Sequence, residues 1–389
     1  MAKISIRDVD LLNKTVFIRV DFNVPFTPGT LQISSDKRIR ASIPTIKLAL
    51  DGGAAVILAS HLGRPKGKRN PDLSLMPVAT RLGELMPGPR ILMAPDCIGP
   101  DVPRPRPGEI VLLENLRFHP EEEANDDAFA QQLATGVDVY VNDAFGAAHR
   151  AHASTVGMIK FVPVAAAGLL MNKELEYLTR VTTNPDRPAV AILGGAKVSD
   201  KIEVIKNLMK VVDRLLIGGA MAYTFLRARG EATGKSLVEE DKIDLARQLL
   251  AEAGDKIMLP VDHVAARELK PGAASEVVTR IPDDAMGVDI GPAAIKRYVE
   301  VILGAKTIIW NGPMGVFEMP PFDAGTVAVA KAVAESPAIS VVGGGDSEKA
   351  VKAAGVADQI SHISTGGGAS LEFLSGIELP GVAALTDKR

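Results

Sequence analysis

The stretch Ala189-Val190-Ala191-Ile192-Leu193-Gly194-Gly195-Ala196-Lys197-Val198-Ser199-Asp200-Lys201 decides how this chain is read. Residues 189–193 are apolar without interruption, which suits a strand covered on both faces. Gly194-Gly195 turns the chain, and a helix is expected from Ser199. A strand that ends in such a turn leaves free N–H groups at the helix start, where anions are favoured. Lys197 and Lys201 add two positive charges there. Taken alone, such a stretch is more often a plain strand-to-helix connection with two solvated lysines.

Outward from it the alternation continues. Further strands are expected at 214–217, 257–259, 307–310, 339–342 and 361–364, with helices at 199–210, 239–253, 292–303, 323–335 and from 369. Before it, strands are expected at 15–20, 54–59, 110–113 and 137–141, and helices at 42–51 and 125–135. Residues 170–183 predict a long helix, which Asn184-Pro185-Asp186-Arg187-Pro188 breaks. The fold class is therefore α/β: two doubly wound, mainly parallel-sheet, Rossmann-like domains joined by a hinge with a connecting helix. The expected limits are 1–169, a connector at 170–188, and 189–375.

Composition narrows the function. A chain of 389 residues exceeds what one core usually serves. Its net charge of −3 makes it no general polyanion binder, so nucleic acid is not an expected partner and any anion site must be local. The single cysteine, Cys97, excludes an internal disulfide and any site of several cysteines, and fits a reducing compartment. The N-terminal residues lack the apolar core of a signal peptide, and no run of about 18 apolar residues occurs. A cytoplasmic protein without a membrane partner is expected.

Basic and polar residues gather just after the first-half strands. They are Arg19-Val20-Asp21-Phe22-Asn23, Ser60-His61-Leu62-Gly63-Arg64-Pro65, Glu114-Asn115-Leu116-Arg117-Phe118 and His149-Arg150-Ala151-His152, with Arg38 in the loop Ser35-Asp36-Lys37-Arg38. The planar guanidinium fork suits phosphate and carboxylate, and several forks at one sheet edge make a polyanion pocket. Histidine there serves as a hydrogen-bond donor; metal binding by His61, His149 and His152 is the weaker reading, because no ligand spacing supports it.

Glycine turns dominate the second half: Gly194-Gly195, Gly218-Gly219, Gly312-Pro313-Met314-Gly315, Gly343-Gly344-Gly345-Asp346-Ser347 and Gly366-Gly367-Gly368. Each follows an expected strand, so backbone N–H groups can approach a nucleotide closely. Asp346 is suited to meet Mg²⁺ through phosphate or water. Gly230-Glu231-Ala232-Thr233-Gly234-Lys235-Ser236 imitates a Walker A loop but has one residue too few and follows a helix. No G-x-G-x-x-G opens a helix after a strand, which removes the main support for a nicotinamide-dependent dehydrogenase. A two-domain protein that only captures a phosphorylated metabolite would leave the glycine turns unexplained.

Together these stretches resemble the phosphoglycerate kinases of bacterial type. The blocks include Arg19 to Pro25, Ser60 to Pro65, Leu112 to Phe118, Asn142-Asp143-Ala144-Phe145-Gly146, His149 to Ser154, the opening stretch, Trp310 to Glu318, Gly343 to Ser347 and Ser364 to Ser370. They run in order over nearly the whole chain. Ala147 stands where threonine is usual, and Ser34 to Lys37 varies a loop usually richer in Asp and Thr.

The resemblance implies reversible transfer of the acyl phosphate of 1,3-bisphosphoglycerate to ADP, giving 3-phosphoglycerate and ATP. It implies that Asp21, Phe22, Asn23, Arg38, His61, Leu62, Gly63, Arg64, Arg117 and Arg150 hold the glycerate substrate. It assigns the nucleotide, with Mg²⁺ at Asp346, to Gly195, Lys201, Gly219, Gly312, Glu318 and Gly344, Gly345, Asp346 and Ser347. Charge in the transfer would be met by Arg38, Lys197, Lys201 and the N–H groups of Gly366 and Gly367. A C-terminal tail, 376–389, is expected to return to the first domain, and a monomer is the family expectation.

Overall fold

The computed structural model describes residues 3–388. It divides into two compact units, one running to Leu175 and including the tail from Glu378, the other spanning Glu176–Ile377.

The first unit contains β1 (Thr15–Arg19), α1 (Lys37–Asp51), β2 (Ala55–Ala59), α2 (Met76–Leu85), β3 (Ile91–Met93), β4 (Ile110–Leu112), α3 (Pro120–Glu123), α4 (Asp127–Leu133), β5 (Val139–Asn142) and β6 (Val164–Ala167). The strands make one parallel sheet in the order β3-β4-β2-β1-β5-β6. β2 is buried along its whole length, as its continuous apolar run requires. The chain winds outward from β1 in both directions, so the topological switch lies where β1 ends at Arg19.

The helix α5 (Leu169–Thr183) is divided between the units. Asp143, just past β5, accepts the N–H groups of Leu170 (2.9 Å) and Met171 (3.3 Å), which tethers the first turn of α5. The second unit continues with β7 (Ala189–Leu193), α6 (Ile202–Leu208), β8 (Arg214–Ile217), α7 (Met221–Ala228), α8 (Ile243–Ala253), β9 (Ile257–Met258), β10 (His263–Ala266), β11 (Ser275–Val278), β12 (Met286–Ile290), α9 (Pro292–Leu303), β13 (Thr307–Asn311), α10 (Ala324–Glu335), β14 (Ile339–Gly343), α11 (Gly345–Ala353), β15 (His362–Ile363) and α12 (Gly367–Leu374). Its parallel sheet runs β15-β14-β13-β7-β8-β9, with β7, the strand of the opening stretch, between β13 and β8.

The structure departs from the expected elements for local reasons. A small antiparallel sheet, β11-β10-β12, is added to the parallel ones. Its outer strand β11 is largely exposed and carries no buried face to reveal it. β3 is only three residues long. β6 is alanine-rich, and alanine is a poor strand former. Its edge is covered on both sides of the chain's ends: Ala167 donates to Ile4 (2.9 Å), and Thr386 of the tail donates to Ala165 (3.0 Å). The tail's α13 (Pro380–Ala383) is held by Gly381 N–H on the Ala148 carbonyl (2.8 Å).

Two corrections bear on the site. α1 begins at Lys37 and not at 42, with Pro44 inside it, because Ile39 and Ile46 both reach the core. Arg38 is therefore not a loop residue but stands on the first turn of a helix. α6 begins at Ile202 and not at 199, with Lys201 as its N-cap residue.

Candidate functional site

In the first unit the predicted polar residues meet beyond the carboxyl ends of β1, β2, β4 and β5. Arg19 closes β1 and is completely buried. Its Nε donates to Ser154 Oγ (2.8 Å), its Nη1 to the Val20 carbonyl (2.5 Å), and its Nη2 lies 3.1 Å from His61 Nδ1. Ser154 in turn donates through its Oγ (2.5 Å) and N–H (2.9 Å) to the buried carboxylate of Glu122. A charged floor thus lies under the pocket, each of its polar groups matched.

The walls are built by short bonds between the loops. Asn23 Oδ1 accepts the Gly63 N–H (2.9 Å), and Arg117 Nη1 donates to the Gly63 carbonyl (3.0 Å). Asn115 accepts the Leu62 N–H (3.1 Å) and donates to the carbonyls of Leu62 (2.7 Å) and Leu73 (2.9 Å). Phe22 is buried, and its N–H donates to Ser60 Oγ (2.8 Å). Arg38 Nη1 pairs with Asp21 Oδ2 at 2.6 Å. Arg64 and Arg150 are exposed, the latter with its Nε 3.3 Å from His149 Nε2.

The electrostatics of this pocket follow from that packing. Burial, then the guanidinium groups of Arg19, Arg117 and Arg38 and the ring of His152, hold His61 far below its ordinary value. Burial, then Arg117, Arg19, Arg150 and His149, lower His152 to about 4. Both rings are neutral at pH 7, in a field set by arginines. Such a field repels a metal cation and attracts an anion, so the structure does not support metal binding by His61, His149 and His152.

In the second unit the glycine turns form one continuous rim. Gly219 has φ +68°, and a Cβ there would lie 2.6 Å from the Gly195 carbonyl oxygen. Gly312 has φ +101°, and a Cβ there would collide with the Gly194 backbone. Both positions need glycine for conformation and for closeness. Gly312 N–H donates to the buried Ser347 Oγ (2.6 Å), and a Cβ on Gly367 would contact Gly344 and Gly345 at 3.6 Å. The N-terminal ends of α11 and α12 therefore sit together, and both offer free N–H groups. Asp346 is exposed on the first turn of α11, where its carboxylate meets Lys349 at 3.0 Å.

Lys201 reaches the rim from its cap position: its Nζ donates to Asn311 Oδ1, and Asn311 Nδ2 donates to the Gly343 carbonyl (2.9 Å). Burial lowers Lys201 to about 8, opposed by the carboxylates of Asp200 and Asp346. Lys197 and Glu318 are exposed and no bond draws them into the rim. The Walker-like segment is a loop: Lys235 donates to the Ala285 carbonyl (2.8 Å), and Thr233 is buried against Arg227.

Two residues of the site have no role in the sequence reading, and a third has a different one. Arg19 is read there as one arginine of the pocket, and it forms the buried floor, which its place as the last residue of a buried strand signals. Asn311 lay inside a quoted block without a role. Glu239, which accepts from Ser199 N–H (3.1 Å) and Oγ (2.5 Å) and so anchors the turn before Lys201, lies 40 residues away with nothing to link the two.

Comparison with known proteins agrees with this geometry. The family model described as phosphoglycerate kinase matches residues 6–377. The phosphoglycerate kinase of Solibacter usitatus is 68% identical over 390 residues, covering 99% of this chain and 100% of that protein. The structure is similar to that of phosphoglycerate kinase from Coxiella burnetii, with TM-score 0.91, 41% identity and 98% of each chain covered. It is also similar to the phosphoglycerate kinase of Pyrococcus horikoshii OT3, with TM-score 0.83, 36% identity and the same coverage. The chain belongs to the phosphoglycerate kinase family.

Proposed function

We propose that the basic pocket of the first unit holds 3-phosphoglycerate or 1,3-bisphosphoglycerate, and the glycine rim of the second holds the adenine nucleotide. The enzyme transfers the acyl phosphate of 1,3-bisphosphoglycerate to ADP, reversibly. One observation carries the division of labour: four arginines surround two neutral histidines of one pocket, Arg19 and Arg117 acting on both rings, Arg38 on His61 and Arg150 on His152. That field suits a substrate bearing phosphate and carboxylate.

On the glycerate side the reacting oxygen belongs to a carboxylate, ionised at neutral pH, so no general base is needed. The remaining work is to align two polyanions and meet charge in a loose transition state. In this reading Arg38, held by Asp21, and Lys201, held by Asn311, meet the transferring phosphoryl group. Lys197 is free to swing in from solvent, and the N–H group of Gly367 adds a fixed donor, joined by that of Gly366 once it leaves Ser364 Oγ (3.3 Å). Asp21, Asn23, His61, Arg64, Arg117 and Arg150 orient the substrate, with Phe22, Leu62 and Gly63 shaping the pocket. Gly195, Gly219, Gly312, Glu318, Gly344, Gly345 and Ser347 seat the nucleotide.

Mg²⁺ enters as part of the nucleotide substrate. Asp346, an exposed carboxylate on the first turn of α11, would hold that ion, which would supply positive charge at the phosphates. Closure of the two units about α5 would bring the substrates together and exclude water. No helix among the described residues is long and apolar enough to cross a membrane, and a cytoplasmic monomer acting on small molecules is the reading we adopt. The test is ATP formation from ADP and 1,3-bisphosphoglycerate. Binding of both without ATP would instead favour the capture protein.

A further inference from the structure

Beside the Glu114 carbonyl, three side chains of different chemistry converge. Asp96 and Cys97 lie in the turn after β3, and His119 caps the start of α3. One ligand atom from each, a carboxylate oxygen, Sγ and a ring nitrogen, lies within 4.8 Å of the others. His119 Nε2 is 2.6 Å from Asp96 Oδ1. Cys97 Sγ is buried and donates to the Glu114 carbonyl (2.8 Å), while the Asp96 carboxylate is 40% exposed and opens the cluster to solvent. The His119 ring is steadied by Phe129, centroid to centroid 5.0 Å. Among the described residues this is the one group so disposed.

We propose that Asp96, Cys97 and His119 form a site for a borderline-soft divalent cation, with Zn²⁺ the fitting ion, distinct from the Mg²⁺ that accompanies the nucleotide. A thiolate, an imidazole and a carboxylate make a ligand set for Zn²⁺ and a poor one for Mg²⁺, which wants oxygen alone. Three protein ligands leave the fourth tetrahedral position to water, on the exposed side of Asp96. The protons balance simply. The Cys97 S–H bond breaks and its proton goes to solvent, the Glu114 carbonyl loses that donor, and a Zn–S bond forms. His119 would bind through Nε2, which then carries no proton, and Asp96 through a carboxylate oxygen. Bond lengths near 2.0–2.2 Å around a tetrahedral ion set nitrogen and oxygen about 3.4 Å apart, so the His119–Asp96 pair must open by a fraction of an ångström.

The whole chain, stripped by a chelator and titrated with Co²⁺, tests this without reference to activity. A thiolate-to-cobalt charge-transfer band should saturate at one ion per chain and be displaced by Zn²⁺ but not by Mg²⁺. Cys97→Ser should abolish the band. Asp96→Asn should weaken binding at least tenfold. A chain that gives no such band at saturating Co²⁺, or a Cys97→Ser chain that retains it, overturns the proposal.

Discussion

Arg38 Nη1 lies 2.6 Å from Asp21 Oδ2, which ties the first turn of α1 to the loop that follows β1. Asp21 is nearly buried and Arg38 is more than a third exposed, so the carboxylate fixes the guanidinium and leaves its outer face open. Loss of such a charged hydrogen bond costs about 1.5–3 kcal/mol. Asp21→Ala should lower kcat/KM for 3-phosphoglycerate by about ten- to a hundredfold, with KM for ATP little changed. Steady-state kinetics with each substrate varied in turn check it.

Lys201 gives a pH signature. Its amine titrates near 8 in the fold against an ordinary 10.5, because burial outweighs Asp200 and Asp346. Between these values the unfolded chain holds a proton that the fold gives up, so this group's contribution to stability rises with pH from 8 to 10.5. Activity runs the other way. The charged amine is needed, so kcat/KM for the nucleotide should fall as pH rises through about 8, and Lys201→Arg should move that limb upward. A profile of the free enzyme that is flat from pH 7 to 9 would count against a charged Lys201.

The histidines of the basic pocket predict acid sensitivity. His152 is lowered to about 4, and His61 is held well below its ordinary value. Between pH 4 and 6.5 the unfolded chain binds protons at these rings that the fold refuses, so stability should fall as pH drops through that window. His152→Gln should make the loss shallower. Bound 3-phosphoglycerate offsets the guanidinium field and should do the same. Urea midpoints at pH 5 and pH 7, with and without the ligand, decide this.

How legible all this was depends on where the information lies. Both parallel sheets could be read because strands such as Ala55–Ala59 and Ala189–Leu193 are buried on both faces and so are continuously apolar. β6 was not legible, since it is alanine-rich and its outer edge is covered by Ile4 and Thr386 from opposite ends of the chain. Nor was β11, which buries little. The pocket's outline was legible from motifs after each strand. Its floor was not: that Arg19, Ser154 and Glu122 form one hydrogen-bonded chain is a tertiary fact. Arg38's place on a helix was hidden by Pro44, which in sequence reads as a first-turn residue.

If the two substrates are held on different units, the reaction waits on closure about α5. Small-angle scattering should show the radius of gyration falling when 3-phosphoglycerate and Mg-ATP are both present, and less with either alone. An unchanged radius with both bound would refute gating by closure.

The account rests most heavily on Arg38 and Lys201 acting on charge that develops only in the transition state. The direct measurement is kcat and KM for Arg38→Ala and Lys201→Ala at saturating substrates. The account predicts kcat lower by about two to four powers of ten, with KM values within a few fold of the parent. An unchanged kcat with only a raised KM would contradict it.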